Sequence, residues 1–272
     1  LACTCSPGDT ILAARNAHKA FVNTCALLDL NVQWILPSSR DSFGVSGTVD
    51  AEQIASLLPG SNIKAVYITS PDYLGYMSDI GAIAAICRQH GVPLLVDNAH
   101  GAHLKFGATD RHPITLGASM CCDSAHKTLP VLTGGAYLHI AKDFPVSKET
   151  AKEKTALFSS TSPSYLILLS LDLCNAYLAE HGKNDFTALH SLSQQLRAAA
   201  KSAGFSEQKG ICDDTKLTLD GADHGLTGEE LAGYFRKMGI ECEYAGERHV
   251  VFMLSPQNTE EDIACLRTAI SH

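Results

Sequence analysis

The chain has 272 residues, 45% of them hydrophobic and 18% charged, and a net charge of −8. That balance fits one large α/β domain, or a large domain with a small one, and excludes a disordered chain. Basic runs never exceed two residues, so no nucleic-acid partner is expected, and no apolar run reaches the roughly 18 residues that span a membrane.

The ten cysteines include no CxxC pair, and this is not a short secreted scaffold, so reduced thiols in a cytoplasmic protein are expected. The start, LACTC, lacks the regions of a secretion signal and reads as the end of a helix begun earlier.

Short apolar runs alternate with helical patterns, the mark of βαβ units and a mainly parallel sheet. TILAAR (10–15) predicts a strand, HKAFVNTCALLDL (18–30) a helix and NVQWILP (31–37) a second strand. Asp50 caps a helix that reaches Leu58, and Pro59-Gly60 stops it. KAVYITSP (64–71) is a buried strand, residues 79–91 a helix, and VPLLVDNAH (92–100), SMCCDSAHK (119–127) and GGAYLHI (134–140) three more strands. Residues 164–182 predict a long helix, apolar nearly all round and therefore buried, followed by another at 188–204. A strand at 215–220, a helix at 228–239, strands near IECEYAG and HVVFMLS, and a final helix from Thr259 to Ile270 complete the chain. The pattern divides it into a major domain, 1–185, and a small α+β domain, 186–272.

In open parallel sheets, ligands bind beyond the carboxyl ends of the strands. Here those ends carry RNAHK, TSPDY, DNAHGAH and DSAHKTLP, so His18, His100, His103 and His126 gather there with Asp97 and Lys127. A lysine after a buried strand is either an ordinary surface charge or, in a partly desolvated cleft, an amine depressed toward the neutral form a Schiff base requires. Asp97 suits the partner of a cofactor's pyridinium nitrogen, a helix cap or a metal ligand. Asp97, His100 and His103 contain metal-ligand types, but the two histidines need a turn to share a face and no second carboxylate lies near, so no metal is expected. No GxGxxG follows the first strand, against a dinucleotide-binding fold.

VDNAHGAHLKFG followed by DSAHKTLPVLTGGAYLH resembles the major domain of the Orn/Lys/Arg decarboxylases, within the type I fold of pyridoxal 5′-phosphate (PLP) enzymes. SPGDTILAARNAHKA, ITSPDYLGYMSDI and FSSTSPSYLILLSLD resemble that family's other segments in the same order, over about residues 1–185. The resemblance implies a three-layer, mainly parallel sheet with a small C-terminal domain. It implies that Lys127 carries PLP as a Schiff base, that Asp97 pairs with the ring nitrogen, and that His18 stacks on the ring with Ala99 on its other face. His100 would face the cofactor or substrate; Ser124 and His126 would contact the phosphate; Thr69 and Tyr73 would line the site. Ser160, Thr161 and Ser162 would reach the phosphate region of a neighbouring subunit in a homodimer or higher homo-oligomer; they also read as a helix N-cap before Pro163. The family's Gly/Ser/Thr-rich phosphate turn would lie upstream of Leu1, and Gly134 stands where the family has a polar residue. The implied reaction is α-decarboxylation of arginine, lysine or ornithine to CO2 and a diamine or agmatine. Another type I reaction, such as aldol cleavage or transamination, and a truncated, catalytically silent homologue are the alternatives.

Overall fold

In the computed structural model, which describes residues 1–36, 48–208 and 210–272, six strands form one sheet. In chain order, β1 (Thr10–Ala14), α1 (Lys19–Leu27) and β2 (Asn31–Ile35) precede α2 (Ala51–Leu57) and β3 (Ile63–Thr69). A two-residue strand β4 (Tyr76–Met77), α3 (Ile80–Gln89), β5 (Leu94–Asp97) and β6 (Met120–Asp123) follow. A helical turn α4 (Ala125–Thr128) then leads to β7 (Tyr137–Ile140). The sheet order is β2-β1-β3-β5-β6-β7, with every pairing parallel except the antiparallel edge β6–β7.

β1 is buried along nearly its whole length, which explains its continuous apolar run. One face of the sheet packs Leu12, Val66, Val96 and Cys121 against α2 and α3. The other packs Ile11, Ala65, Leu95 and Met120 against Phe21 and Cys25 of α1. Asp79 caps α3 by accepting from Ala82 N at 3.0 Å, and that helix buries Ile80, Ile83, Ala84 and Cys87.

The mainly parallel α/β sheet agrees with the sequence, and the differences are local. The strand expected over 119–127 ends at Asp123, because Ser124 turns the chain into α4; Lys127 therefore sits on a helical turn. Residues 92–100 contribute only Leu94–Asp97 as strand, since Asn98 starts a turn closed by Gly101 N on its carbonyl at 2.8 Å. A Cβ on Gly101 would stand 2.1 Å from Asn98 Oδ1, so only glycine fits that turn. Pro37, the last residue of the expected second strand, lies outside the described residues. At the start of the chain, Cys5 N donates to Leu1 O at 3.1 Å, a single helical turn.

The helix α5 (Lys148–Ala156) went unread because it is polar and buries only Ala151, leaving no apolar period to see. The two helices expected at 164–182 and 188–204 are one run: α6 (Tyr165–Tyr177), a π-helical turn (Leu178–Gly182) and α7 (Lys183–Ser202). The domain boundary read at 185/186 thus falls inside a helix. The expected burial of α6 is not found within this chain. Only Cys174 of α6 is buried, while Leu166, Leu169 and Leu173 are 69%, 53% and 61% exposed. Its apolar surface extends round more of the helix than one chain covers.

The C-terminal part holds β8 (Ile211–Cys212), β9 (Lys216–Asp220), α8 (Gly228–Lys237), β10 (Tyr244–Ala245), β11 (His249–Met253) and α9 (Glu260–Ser271). β10, β11 and β9 form an antiparallel sheet, while β8 pairs with β4 and so ties this part to the loop after β3.

Candidate active site

Four strand ends converge. His18 caps α1, its Nδ1 accepting from Ala20 N at 3.2 Å. After β3, Ser70 N donates to Asp97 O at 3.0 Å. The buried Asp72 then accepts from Leu74 N and Tyr76 N at 3.0 and 2.9 Å, folding a tight loop that presents Tyr73. β5 delivers Asp97, and the turn after β6 delivers Ser124 and Lys127. Together they line a cavity of about 620 Å³ whose wall includes His18, Thr69, Tyr73, Asp97, Ala99, His100, Ser124 and Lys127. That volume lies within the range of small-molecule and cofactor sites.

Asp97 is buried but not bare. Tyr67 Oη donates to Oδ2 at 2.9 Å, Ala99 N to Oδ1 at 3.2 Å, and the Cys122 thiol lies 4.0 Å away. Burial, with Asp97 beside it, raises the Tyr67 pKa, so the phenol stays a donor. Burial and Asp97 likewise push the Cys122 thiol up to about 12. Lys127 Nζ lies 3.2 Å from His100 Nε2. Burial, then Lys127 and Lys216, lower the His100 pKa to about 4, so near neutral pH its Nε2 accepts from the lysine.

His126 and Ser160, Thr161 and Ser162 do not line this cavity. Ser160 Oγ instead accepts from Ser162 N at 3.1 Å in an exposed turn before α6. His103 also departs from the site: it is buried against Asp213, Nε2 to Oδ1 2.8 Å. It therefore shares no metal-ligand set with His100 and Asp97, for the turn after Asn98 sends the two histidines to different neighbours. Burial opposes the charge on Asp213, but His103 and Thr215 outweigh it and hold the carboxyl at about 2.

Sequence reading missed Asn16, Asp72 and Leu74 in the wall, and the groups behind it. Tyr67 was detectable, because it lies two residues before Thr69 and shares its strand face. Lys216 and Glu243 carried no such signal. Lys216 is 0% exposed, and its Nζ sits 5.6 Å from the Tyr73 ring centroid without a hydrogen-bond partner among the described residues. Burial lowers its pKa, against Asp213 and Glu243, which raise it. Glu243 accepts from Tyr73 Oη at 3.2 Å. Gly75 permits this packing: it has φ +89° and a Cβ there would meet Lys216 Cβ at 2.7 Å.

Among solved structures, the chain is similar to the lysine decarboxylase LdcF of Francisella novicida, with TM-score 0.81 and 22% identity over 98% of this chain and 45% of that one. It also resembles alanine–glyoxylate aminotransferase of Nostoc sp., with TM-score 0.74 and 15% identity over 99% and 76% of the two chains. The fold is the type I fold of PLP-dependent enzymes.

Within that class, residues 1–217 match the family described as Orn/Lys/Arg decarboxylase, major domain, and the chain belongs to it. It is 31% identical to the uncharacterized protein YaaO of Bacillus subtilis over 92% of this chain and 54% of that protein. It is 27% identical to the arginine decarboxylase of the same organism over 98% of this chain and 57% of that protein. The chain thus spans little more than half the length of these curated relatives.

The neutral His100 makes a pH prediction. Its pKa is about 4 in the fold against 6.5 unperturbed, so the unfolded chain takes up the proton first. Its contribution to stability is fully present above pH 6.5 and is lost as pH falls through about 4. Urea midpoints measured across that window will fall with pH in the wild type and fall less in His100→Gln.

Proposed function

We propose that this chain is the cofactor-holding part of a PLP-dependent decarboxylase acting on a basic amino acid: arginine, lysine or ornithine. The observation that carries this reading is the meeting of Lys127 and Asp97 on one cavity at the strand ends, in a chain of the Orn/Lys/Arg decarboxylase family.

The residues fit the cofactor. Three buried polar atoms in or facing the cavity wall, Asn16 Oδ1, Thr69 Oγ1 and His100 Nδ1, have no hydrogen-bond partner among the described residues. Such atoms are costly unless a ligand or water satisfies them. Lys127 would hold PLP covalently, and Asp97 would keep its ring nitrogen protonated. His18 would cover one ring face, and Ala99 would leave room on the other. Ser124, in the cavity wall, would bind phosphate from this chain, with Ser160, Thr161 and Ser162 acting from a neighbouring copy. When bound, PLP supplies the electron sink for the pair left by departing CO2.

The chain's own groups set up that chemistry. Tyr67 and Ala99 fix the Asp97 carboxylate, and neutral His100 accepts a hydrogen bond from Lys127 Nζ, favouring orientation of the amine into the cavity. Lys127 or His100 would return a proton to the substrate's α-carbon. Glu243, beside Tyr73, gives the neighbourhood an acidic group suited to a cationic side chain. The product would be a diamine or agmatine. A cytoplasmic setting accords with ten free thiols.

The exposed leucines of α6 support assembly as a homodimer or higher homo-oligomer, because a contiguous apolar face of this kind marks an interaction surface.

Three outcomes test these proposals on the full-length protein. Added PLP will give the visible absorbance of lysine-bound cofactor, and Lys127→Ala will abolish it; a band that survives the substitution overturns the assignment. Asp97→Asn will retain PLP but release CO2 from arginine, lysine or ornithine about 10²- to 10³-fold more slowly, the scale of losing one preorganised electrostatic partner. Sedimentation velocity will show a dimer or larger species that Leu169→Glu with Leu173→Glu shifts toward monomer; a monomeric wild type overturns that proposal.

A further inference from the structure

Side chains alternate across a strand, so the two faces of this sheet edge carry different chemistry. Asp97 faces the Lys127 cavity with Cys122 beside it. Cys121 faces the opposite side, packed in the core under α2 and α3, and Asp123, two residues on, shares that face. There His112 and His139 each place Nε2 3.0 Å from the same oxygen, Asp123 Oδ2. Cys121 Sγ lies 3.9 Å from His112 Nε2 and 3.8 Å from Asp123 Oδ1. One ligand atom from each of His112, Cys121 and Asp123 falls within 4.8 Å of the others, and all three residues are buried.

These separations are near those a small tetrahedral ion sets, the 3.0 Å His–Asp contacts being direct hydrogen bonds as they stand. Zinc bonds of about 2.0–2.3 Å put neighbouring ligand atoms roughly 3.3–3.6 Å apart, and the observed 3.0–3.9 Å brackets that range. The ligands come from three places: the loop before β6, alternate positions of β6, and β7, where His139 is paired directly with Cys121. None of the four lines the Lys127 cavity. A separate cavity of about 420 Å³, lined by His112, Asp123, Tyr137 and His139, gives an ion a way in.

We infer that His112, Cys121 and Asp123, with His139 closing the fourth position, form a site for a borderline-soft divalent ion of the zinc class. The mixed nitrogen, sulfur and oxygen set suits zinc and disfavours calcium or magnesium, which take oxygen shells. His139, whose side chain is 38% exposed and whose Nε2 lies 3.0 Å from Asp123 Oδ2, is the group placed nearest to serve as the fourth ligand. The ion would pin the edge strand β7 and the 106–116 loop to β6, immediately before the turn that carries Lys127.

Cobalt(II) is the probe. Reduced full-length protein, treated with chelator and titrated with Co²⁺, should show tetrahedral ligand-field bands and a thiolate charge-transfer band in difference spectra at one equivalent, with Zn²⁺ displacing it. Cys121→Ser should remove the charge-transfer band. His112→Asn should weaken Co²⁺ binding by at least about 100-fold, more than the loss of an outer-shell partner. His139→Asn, at a partly exposed position that leaves the buried core intact, should also weaken it, with circular dichroism checking the fold of each variant. Lys127→Ala should leave the bands in place. Absence of tetrahedral bands, bands that survive both Cys121→Ser and His112→Asn, or bands lost in Lys127→Ala would overturn the site.

Discussion

The site depends on a topological constraint: parallel strands that wind outward in two directions leave a gap where the direction reverses. Here the chain moves from β1 outward to β2, then returns past β1 to β3, β5 and β6. The helices that follow β1 and β3 therefore pack on opposite faces of the sheet, and a crevice opens beyond their carboxyl ends. The polar groups of the candidate site lie at, or within a few residues beyond, the carboxyl ends of buried strands. The strands are short and buried, so their apolar side chains hold the ends in register while the following residues are free to be chemically specific.

The same edge shows how a sheet segregates charge. Asp97 and Asp123 end neighbouring strands, yet they belong to separate networks, one with Tyr67 and Ala99, the other with His112, His139 and Asn98. Burial alone would raise the Asp123 pKa, but hydrogen bonds from His112, His139 and Asn98 hold the carboxyl well below the usual range. Asn98, the residue after Asp97, bonds Asp123 Oδ1 through Nδ2 at 2.7 Å, so the networks are adjacent in the chain. A register slip of one residue in β6 would exchange these environments.

Much of this was legible in the sequence because it is local. Apolar runs located the strands, and DNAH and DSAHK located the polar ends of β5 and β6. Residues such as His18, Thr69, Asp97, His100 and Lys127 share a cavity because each lies at a strand end. What escaped reading depends on distant pairing. Lys216 lies on an apolar strand of the C-terminal sheet and carries no sign that it packs against Gly75 and Tyr73. The cluster around Asp123 has no metal-binding spacing, since His112 and His139 are brought to it by a loop and an antiparallel partner. The run of leucines in α6 was read correctly as apolar, but apolarity does not say whether the cover comes from the same chain.

The loop after β3 deserves to be considered as an event in time as well as a wall in space. Tyr73 meets Glu243 across 170 positions, and Thr218 donates to Leu74 O across 144. Contacts of such separation are entropically expensive to close and raise the contact order of the region. A nascent chain emerging in sequence order has the β1 to β6 strand ends before it has anything to brace Tyr73. The loop that forms the wall on that side is braced only when the C-terminal sheet docks, so this edge of the cavity takes its final shape with the completion of the fold.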